Sequence, residues 1–252
     1  MSAITRVQNQ RVGSAPPPRP VEVEPALRGV PAEVDVAVGV AVGGLPRKTE
    51  AYIHGPKLAF DRTVATVALV ALSPLLLVIA VLVRIRLGAP VLFRQTRVGL
   101  DGQPFEMLKF RTMLPDRRAN HPAARAPLGD DRRETHKSMN DPRHTPLGRL
   151  LRAYRLDELP QLVHVCRGEM SLVGPRPEVA SVVERYEPWQ HRRHAVRPGL
   201  TGLWQISDAA VNPQDMHLHT DIDIEYVETC SWRTDARILL TTVPSMLATK
   251  GV

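Results

Sequence analysis

Residues Thr63 to Val83 read TVATVALVALSPLLLVIAVLV, twenty-one residues without a charge. As a helix rising about 1.5 Å per residue, this run just crosses a hydrocarbon core of roughly 30 Å. Two features argue against a simple crossing. Lys57 and Arg62 precede the run while Arg84, Arg86, Arg94 and Arg97 follow it, so positive charge marks neither end as the outside. Ser73-Pro74 falls at the midpoint, where proline removes a backbone donor and the serine hydroxyl can satisfy the carbonyl set free. A helix broken at Ser73-Pro74 that enters and leaves by one face meets both observations, and is preferred to a straight span or a buried soluble helix. Lys57, Arg62, Ser73 and Pro74 are its candidate membrane residues.

Around this run, 252 residues with 43% apolar content suffice for one good-sized domain with appendages, and exclude a disordered chain. Thirty-three basic against 26 acidic residues leave +7, which favours nucleic acid, an anionic membrane surface or phosphorylated substrates. Cys166 and Cys230 have neither disulfide-framework nor zinc spacing and fit a reducing, cytosol-facing setting. Upstream, Pro16, Pro17, Pro18, Pro20, Pro25, Pro31 and Pro46 among Ala, Val and Gly read as a disordered tail over 1–54. The apolar segment then occupies 55–88 and a cytosolic domain 89–252.

Downstream, two alternating runs, Val91 to Val98 and Pro104 to Arg111, flank Asp101-Gly102, a hairpin signal. Alternation puts Lys109 and Arg111 on one face, either an anion cradle or a solvated strand face. The charged stretch from Leu114 to Pro146 is a lid or an insertion. Leu147, Leu150, Leu151 and Tyr154 then mark one face of a short helix, with Arg149 and Arg152 three apart.

Asp157-Glu158-Leu159-Pro160 reads as the next helix start, Asp157 capping and Pro160 in the first turn. The same placement holds two carboxylates beside orphan amides that favour an anion. Neighbouring side chains diverge by about 100° on a helix, so the two acids suit different jobs: attack on phosphorus and grip of a divalent cation. Further on, Pro175 and Pro177 confine the backbone around Arg176, which presents its guanidinium with less entropy to lose. Val179, Val182, Val183 and Tyr186 form an amphipathic stripe before the basic run His191 to His194, suited to a membrane surface or to packing on a partner helix. His217, His219, Asp221, Asp223 and Glu225 read as a solvated face rather than a metal site.

These blocks resemble the bacterial sugar transferases that act on polyprenyl phosphate, the monotopic phosphoglycosyl transferases. Their patterns FRQxRVGxxGxPFxxxKFRTM, DPRxTxxGRxLR, LDELPQL, MSLVGPRP and RPGxTGxxQ appear as Phe93 to Met113, Asp141 to Arg152, Leu156 to Leu162, Met170 to Pro177 and Arg197 to Gln205. The match runs in family order from about Gly55 onward. Arg155 departs from a frequent small hydroxyl residue, and Thr234 to Arg237 is more polar than usual.

The resemblance implies an α+β fold, with short and amphipathic helices around a small antiparallel sheet and one re-entrant helix. It implies that Asp157 attacks a phosphorus of a UDP-sugar, releasing UMP and forming a phosphosugar aspartyl ester that polyprenyl phosphate resolves. Glu158 would bind Mg²⁺. Lys109, Arg111, Arg152, Pro175, Arg176, Pro177 and Arg197 are the substrate-binding candidates. The implied setting is the cytoplasmic face of a bacterial inner membrane, with no nucleic-acid partner and with homo-oligomerisation left open. A non-catalytic basic protein of the membrane surface and a direct glycosyltransferase releasing UDP are the alternatives.

Overall fold

The computed structural model describes residues 45–114, 143–207 and 219–248. Helices α1 (Arg47–His54) and α2 (Pro56–Leu87) lead into strands β1 (Leu92–Val98) and β2 (Pro104–Phe110). Helix α3 (Pro146–Ala153), a 3₁₀ segment (Leu156–Gln161), α4 (Leu162–Arg167) and β3 (Ser171–Val173) follow. The rest comprises α5 (Ala180–Val183), a second 3₁₀ segment (Pro188–Ala195), β4 (Gly199–Thr201), α6 (Thr220–Thr229) and α7 (Trp232–Ala248).

The fold starts earlier than the reading of 1–54 as a tail implied. Helix α1 lies inside that stretch, with Tyr52 and Ile53 buried; eight residues carry too short a pattern to register as a period. Residues 1–44, most of the charged stretch (115–142) and His217 lie outside the described residues.

Helix α2 continues through Pro74 for 32 residues instead of breaking there. The serine chemistry is as expected: Pro74 has no N–H for the Val70 carbonyl, and Ser73 Oγ donates to that carbonyl at 2.8 Å. Ala65, Ile79, Val83 and Leu87 are buried, with Leu69, Leu72 and Leu76 partly so, a helical stripe along one face. Val67, Val70, Leu77, Val78 and Ile85 on the remaining surface are exposed. The helix serves two cores. Ala65 joins Leu162, Val165, Met170, Val173, Tyr226 and Ile238, while Ile79, Val83 and Leu87 pack with Phe110 and Leu151.

The basic residues before the apolar run have internal partners. Lys57 is buried in an ion pair with Asp235 and lies 3.4 Å from Asp61. Asp235 also accepts from Tyr52 and Tyr226, at 2.8 Å each. Arg62 donates to the carbonyls of Cys166 (3.0 Å) and Arg167 (2.9 Å), satisfying the end of α4. The polar Thr234 to Arg237 segment therefore puts its acid into the interior.

Strands β1 and β2 pair antiparallel, Leu92 opposite Phe110 and Val98 opposite Pro104. The second sheet corrects the expectation: β3 and β4 pair parallel. The chain leaves β3 through Pro175-Arg176-Pro177, α5 and the second 3₁₀ segment before returning, and such a crossover permits parallel pairing. The basic run His191 to His194 is not a membrane surface as a whole. Arg193 and His194 are buried, and Arg193 pairs with Asp223 at 2.5 Å.

Thr145 caps α3, its Oγ1 accepting from the Gly148 amide at 2.9 Å. Of the expected apolar face only Leu151 is fully buried, Leu150 and Tyr154 being exposed. Gly148 is tightly placed, since a Cβ there would fall 1.8 Å from the Thr112 carbonyl oxygen. Gly148→Ala is expected to cost at least about 2 kcal/mol by pushing α3 off the Thr112 backbone, read as a lowered denaturation midpoint; an unchanged midpoint would show that α3 can shift freely.

Candidate active site

The turn out of α3 runs through Arg155, a non-glycine residue at φ 52° in the left-handed region. That reversal delivers Asp157 and Glu158 into the 3₁₀ segment. The segment has no side-chain cap, so Asp157 does not perform the capping role expected of it. Asp157 is only 8% exposed, and a buried carboxylate without a capping duty requires another account.

Glu158 is surrounded by cations. Its Oε1 accepts from Lys109 Nζ at 2.9 Å and from Arg176 Nη2 at 3.5 Å. Lys109 arrives from β2 and Arg176 from the proline-flanked segment after β3. Burial pushes the Glu158 carboxyl up, but Lys109 and Arg176 outweigh it and leave it at about 2. Asp157 behaves oppositely. Burial, reinforced by the Glu158 charge, raises it to about 6 against the pull of Lys109 and Arg152. Two adjacent acids thus differ in proton affinity, one fixed as an anion and the other near the point where its proton is lost.

A small cleft opens here, lined by Lys109, Glu158, Arg176 and Pro177 together with Arg97, Gln161 and Gly199. Pro175 supports it from behind, its carbonyl accepting from the Gly199 amide at 2.8 Å. Arg152 stands with His144 at 3.1 Å and contributes to the field at Asp157. Two candidates lie elsewhere. Arg111 does not share a cradle with Lys109: β2 ends at Phe110, and its guanidinium turns back onto the carbonyls of Leu87, Gly88 (2.9 Å) and Ala89 (2.8 Å), closing the end of α2. Arg197 donates to Gly168 (2.8 Å) and Ile53 (3.3 Å) carbonyls beside Lys57 and Asp61.

Two side chains missed in the sequence, Arg97 and Gln161, stand at the site, and Arg155, noted there as a departure from the family pattern, acts on its charge. Arg97 stands opposite Phe105 in the hairpin register, on the face that carries Lys109; pairing outward from Asp101-Gly102 exposes that relation. Gln161 is buried with its Nε2 unpartnered, a donor available to an oxygen in the cleft. Arg155 helps to hold Glu158 ionised, which links its departure from the usual small hydroxyl residue to the site's charge.

The Glu158 carboxylate is of the donor type that Mg²⁺ takes, the ion binding through one or two protein carboxylates and filling its remaining sites with water and phosphate oxygens. Among the described residues no group of three or more His, Cys, Asp or Glu could hold a metal by itself.

Residues 53–249 match the family model described as bacterial sugar transferase. The chain belongs to the bacterial sugar transferase family. This transferase is 40% identical over 202 residues to the exopolysaccharide production protein ExoY of Sinorhizobium fredii, covering 77% of this chain and 87% of the relative. It is 41% identical over 213 residues to the UDP-glucose:undecaprenyl-phosphate glucose-1-phosphate transferase of Caulobacter vibrioides, covering 82% and 74%. A transferase of the same description in Escherichia coli is 37% identical over 193 residues, covering 74% of this chain and 39% of that relative.

Proposed function

We propose that this transferase moves a sugar phosphate from a UDP-sugar to undecaprenyl phosphate, an initiating step of exopolysaccharide or related glycan synthesis. The observation that carries the chemistry is the unequal carboxyl pair, a buried Asp157 poised near pH 6 beside a Glu158 held by Lys109 and Arg176. Asp157 attacks the sugar-bearing phosphorus; its bond to that phosphorus forms as the phosphorus–oxygen bond to UMP breaks. An oxygen of undecaprenyl phosphate then attacks the same phosphorus and returns Asp157 as a carboxylate. Lys109 and Arg176 spread the negative charge that accumulates in both transfers. Glu158, ionised at neutral pH, is the residue to hold Mg²⁺, which when bound would neutralise diphosphate charge.

The acceptor is a lipid, and α2 is long and apolar enough to cross a membrane. Although α2 is unbroken at Pro74, placement of both its ends on the cytoplasmic side, as a re-entrant helix requires, is supported by their attachment to one folded unit, Lys57 to Asp235 and Arg111 to the Leu87 carbonyl. The buried stripe along α2 supports it too, because an upright crossing would carry the helix middle away from the domain. Single cysteines placed at 50 and 90 in intact cells should both resist an impermeant thiol reagent; labelling of one end would establish a full crossing.

The decisive assay is product identity. Purified enzyme with a UDP-sugar and undecaprenyl phosphate should release UMP, and with the UDP-sugar alone should gain one sugar-phosphate mass. Release of UDP would establish direct glycosyl transfer, and the absence of an adduct in single turnover would remove the covalent step. With Asp157 as nucleophile, kcat/KM should fall about tenfold per pH unit below about 6 and stay level above it. A profile flat down to pH 5 would exclude that role.

A further inference from the structure

Arg176 can meet Glu158 only if the segment that carries it stays in place, and that segment cannot join a regular sheet. Pro175 and Pro177 have no N–H, so no strand can form a full ladder with residues 175 to 178. Each of the four carbonyls nevertheless accepts a donor, and each donor differs. The Gly199 amide reaches Pro175 at 2.8 Å and the Val98 amide reaches Glu178 at 2.9 Å. Between them, Arg193 Nη2 donates to the Arg176 carbonyl at 2.7 Å and Arg97 Nη1 to the Pro177 carbonyl at 2.9 Å.

The two arginines are themselves held. Arg193 is buried, pairs with Asp223 of α6 at 2.5 Å, and donates to the Tyr186 hydroxyl. Arg97 donates to Gln95 Oε1 at 2.8 Å and stands 3.9 Å from Glu178. Such guanidiniums are costly to bury, and replacing buried ion pairs by apolar residues is often neutral for stability. Their reach to consecutive carbonyls of one functional segment gives them a use that packing does not.

We propose that Arg97 and Arg193 are positioning residues, a two-guanidinium clamp that holds the backbone of Arg176-Pro177 so that the Arg176 side chain meets Glu158 and the substrate phosphates. Arg176 Nη2 lies 3.5 Å from Glu158 Oε1, at the long end of a hydrogen bond, and a displacement of about 1 Å in such a group can cost about a hundredfold in rate. Asp223 acts through Arg193, which makes α6 a remote support of the site. The kinetic part of this inference rests on the transfer reaction proposed above; the structural part does not.

The test is a double-mutant cycle on the full chain in detergent or nanodiscs, with hydrogen exchange measured on the same samples. Arg97→Gln, Arg193→Gln and Arg176→Ala should each lower kcat on the order of a hundredfold. Each should also speed amide exchange about tenfold or more in a peptide spanning 172–183, while α2 and α4 keep their protection. Combined with Arg176→Ala, neither should lower kcat by more than about threefold further, because the clamp acts through that side chain. Multiplying defects, or unchanged exchange in 172–183, would overturn the proposal. If Arg193→Gln disturbs folding, Asp223→Asn and the less buried Arg97→Gln carry the same comparison. A wild-type enzyme that released no UMP would sink the transfer reading, and the exchange arm would still decide the clamp.

Discussion

Asp157→Asn is expected to abolish UMP release, by on the order of 10⁴ or more, while making the protein harder to unfold at neutral pH. Both effects come from one carboxyl. As nucleophile, Asp157 needs an ionised oxygen that an amide lacks, so no sugar-phosphate adduct should form. As a buried acid it is a burden when charged: its folded value of about 6 lies above the ordinary 3.8. An acid raised by folding contributes stability that is fully present below its unfolded value and lost as pH rises through its folded value. The asparagine variant escapes that loss. Its advantage over wild type should open between pH 4 and about 6 and then stay level, at about 1 to 3 kcal/mol. Thermal denaturation at pH 4.5 and 7.5 beside the UMP assay checks both halves. A lower midpoint for the variant at pH 7.5 would mean that the carboxylate holds the fold together, and residual adduct would remove it as nucleophile.

Lys57→Met should be among the most damaging substitutions outside the site, at about 3 to 5 kcal/mol. Lys57 is the cation beside Asp61 and Asp235, all three being buried. Its removal leaves two acids facing each other without compensation and detaches the start of α2 from α7. Asp61→Asn should stay within about 1 kcal/mol, since the Lys57–Asp235 pair persists and an amide oxygen can still accept from Ser171. Denaturant midpoints in micelles compare the two directly. Equal losses would show that charge balance is not what the cluster supplies.

Several elements were legible because a local pattern forces them. Asp101-Gly102 between alternating runs yields the β1–β2 hairpin, and the spacing of Leu147, Leu150 and Leu151 marks α3, because turn chemistry and helical periodicity act within a few residues. Ser73 satisfying Val70 follows from proline chemistry alone. Other assignments depended on distant partners. Arg111 and Lys109 look equivalent in the strand pattern, yet one closes α2 and the other holds Glu158. Asp235 stood out only as part of an unusually polar segment and proved to be the centre of a buried network reaching Tyr52, Lys57 and Tyr226. The parallel β3–β4 pairing depends on a crossover that no local signal announces.

The sequence by itself determined the family, the apolar helix and the residue types needed for phosphate chemistry, because these reside in composition, periodicity and motif order. Only the tertiary structure decided how the two acids divide their work. Asp157 and Glu158 are adjacent in the chain and nearly identical in intrinsic acidity. Their difference arises from burial and from Lys109, Arg152 and Arg176, brought in from β2, α3 and the segment after β3. Charge and desolvation act through space, so the chain order that names these residues does not contain the field they create.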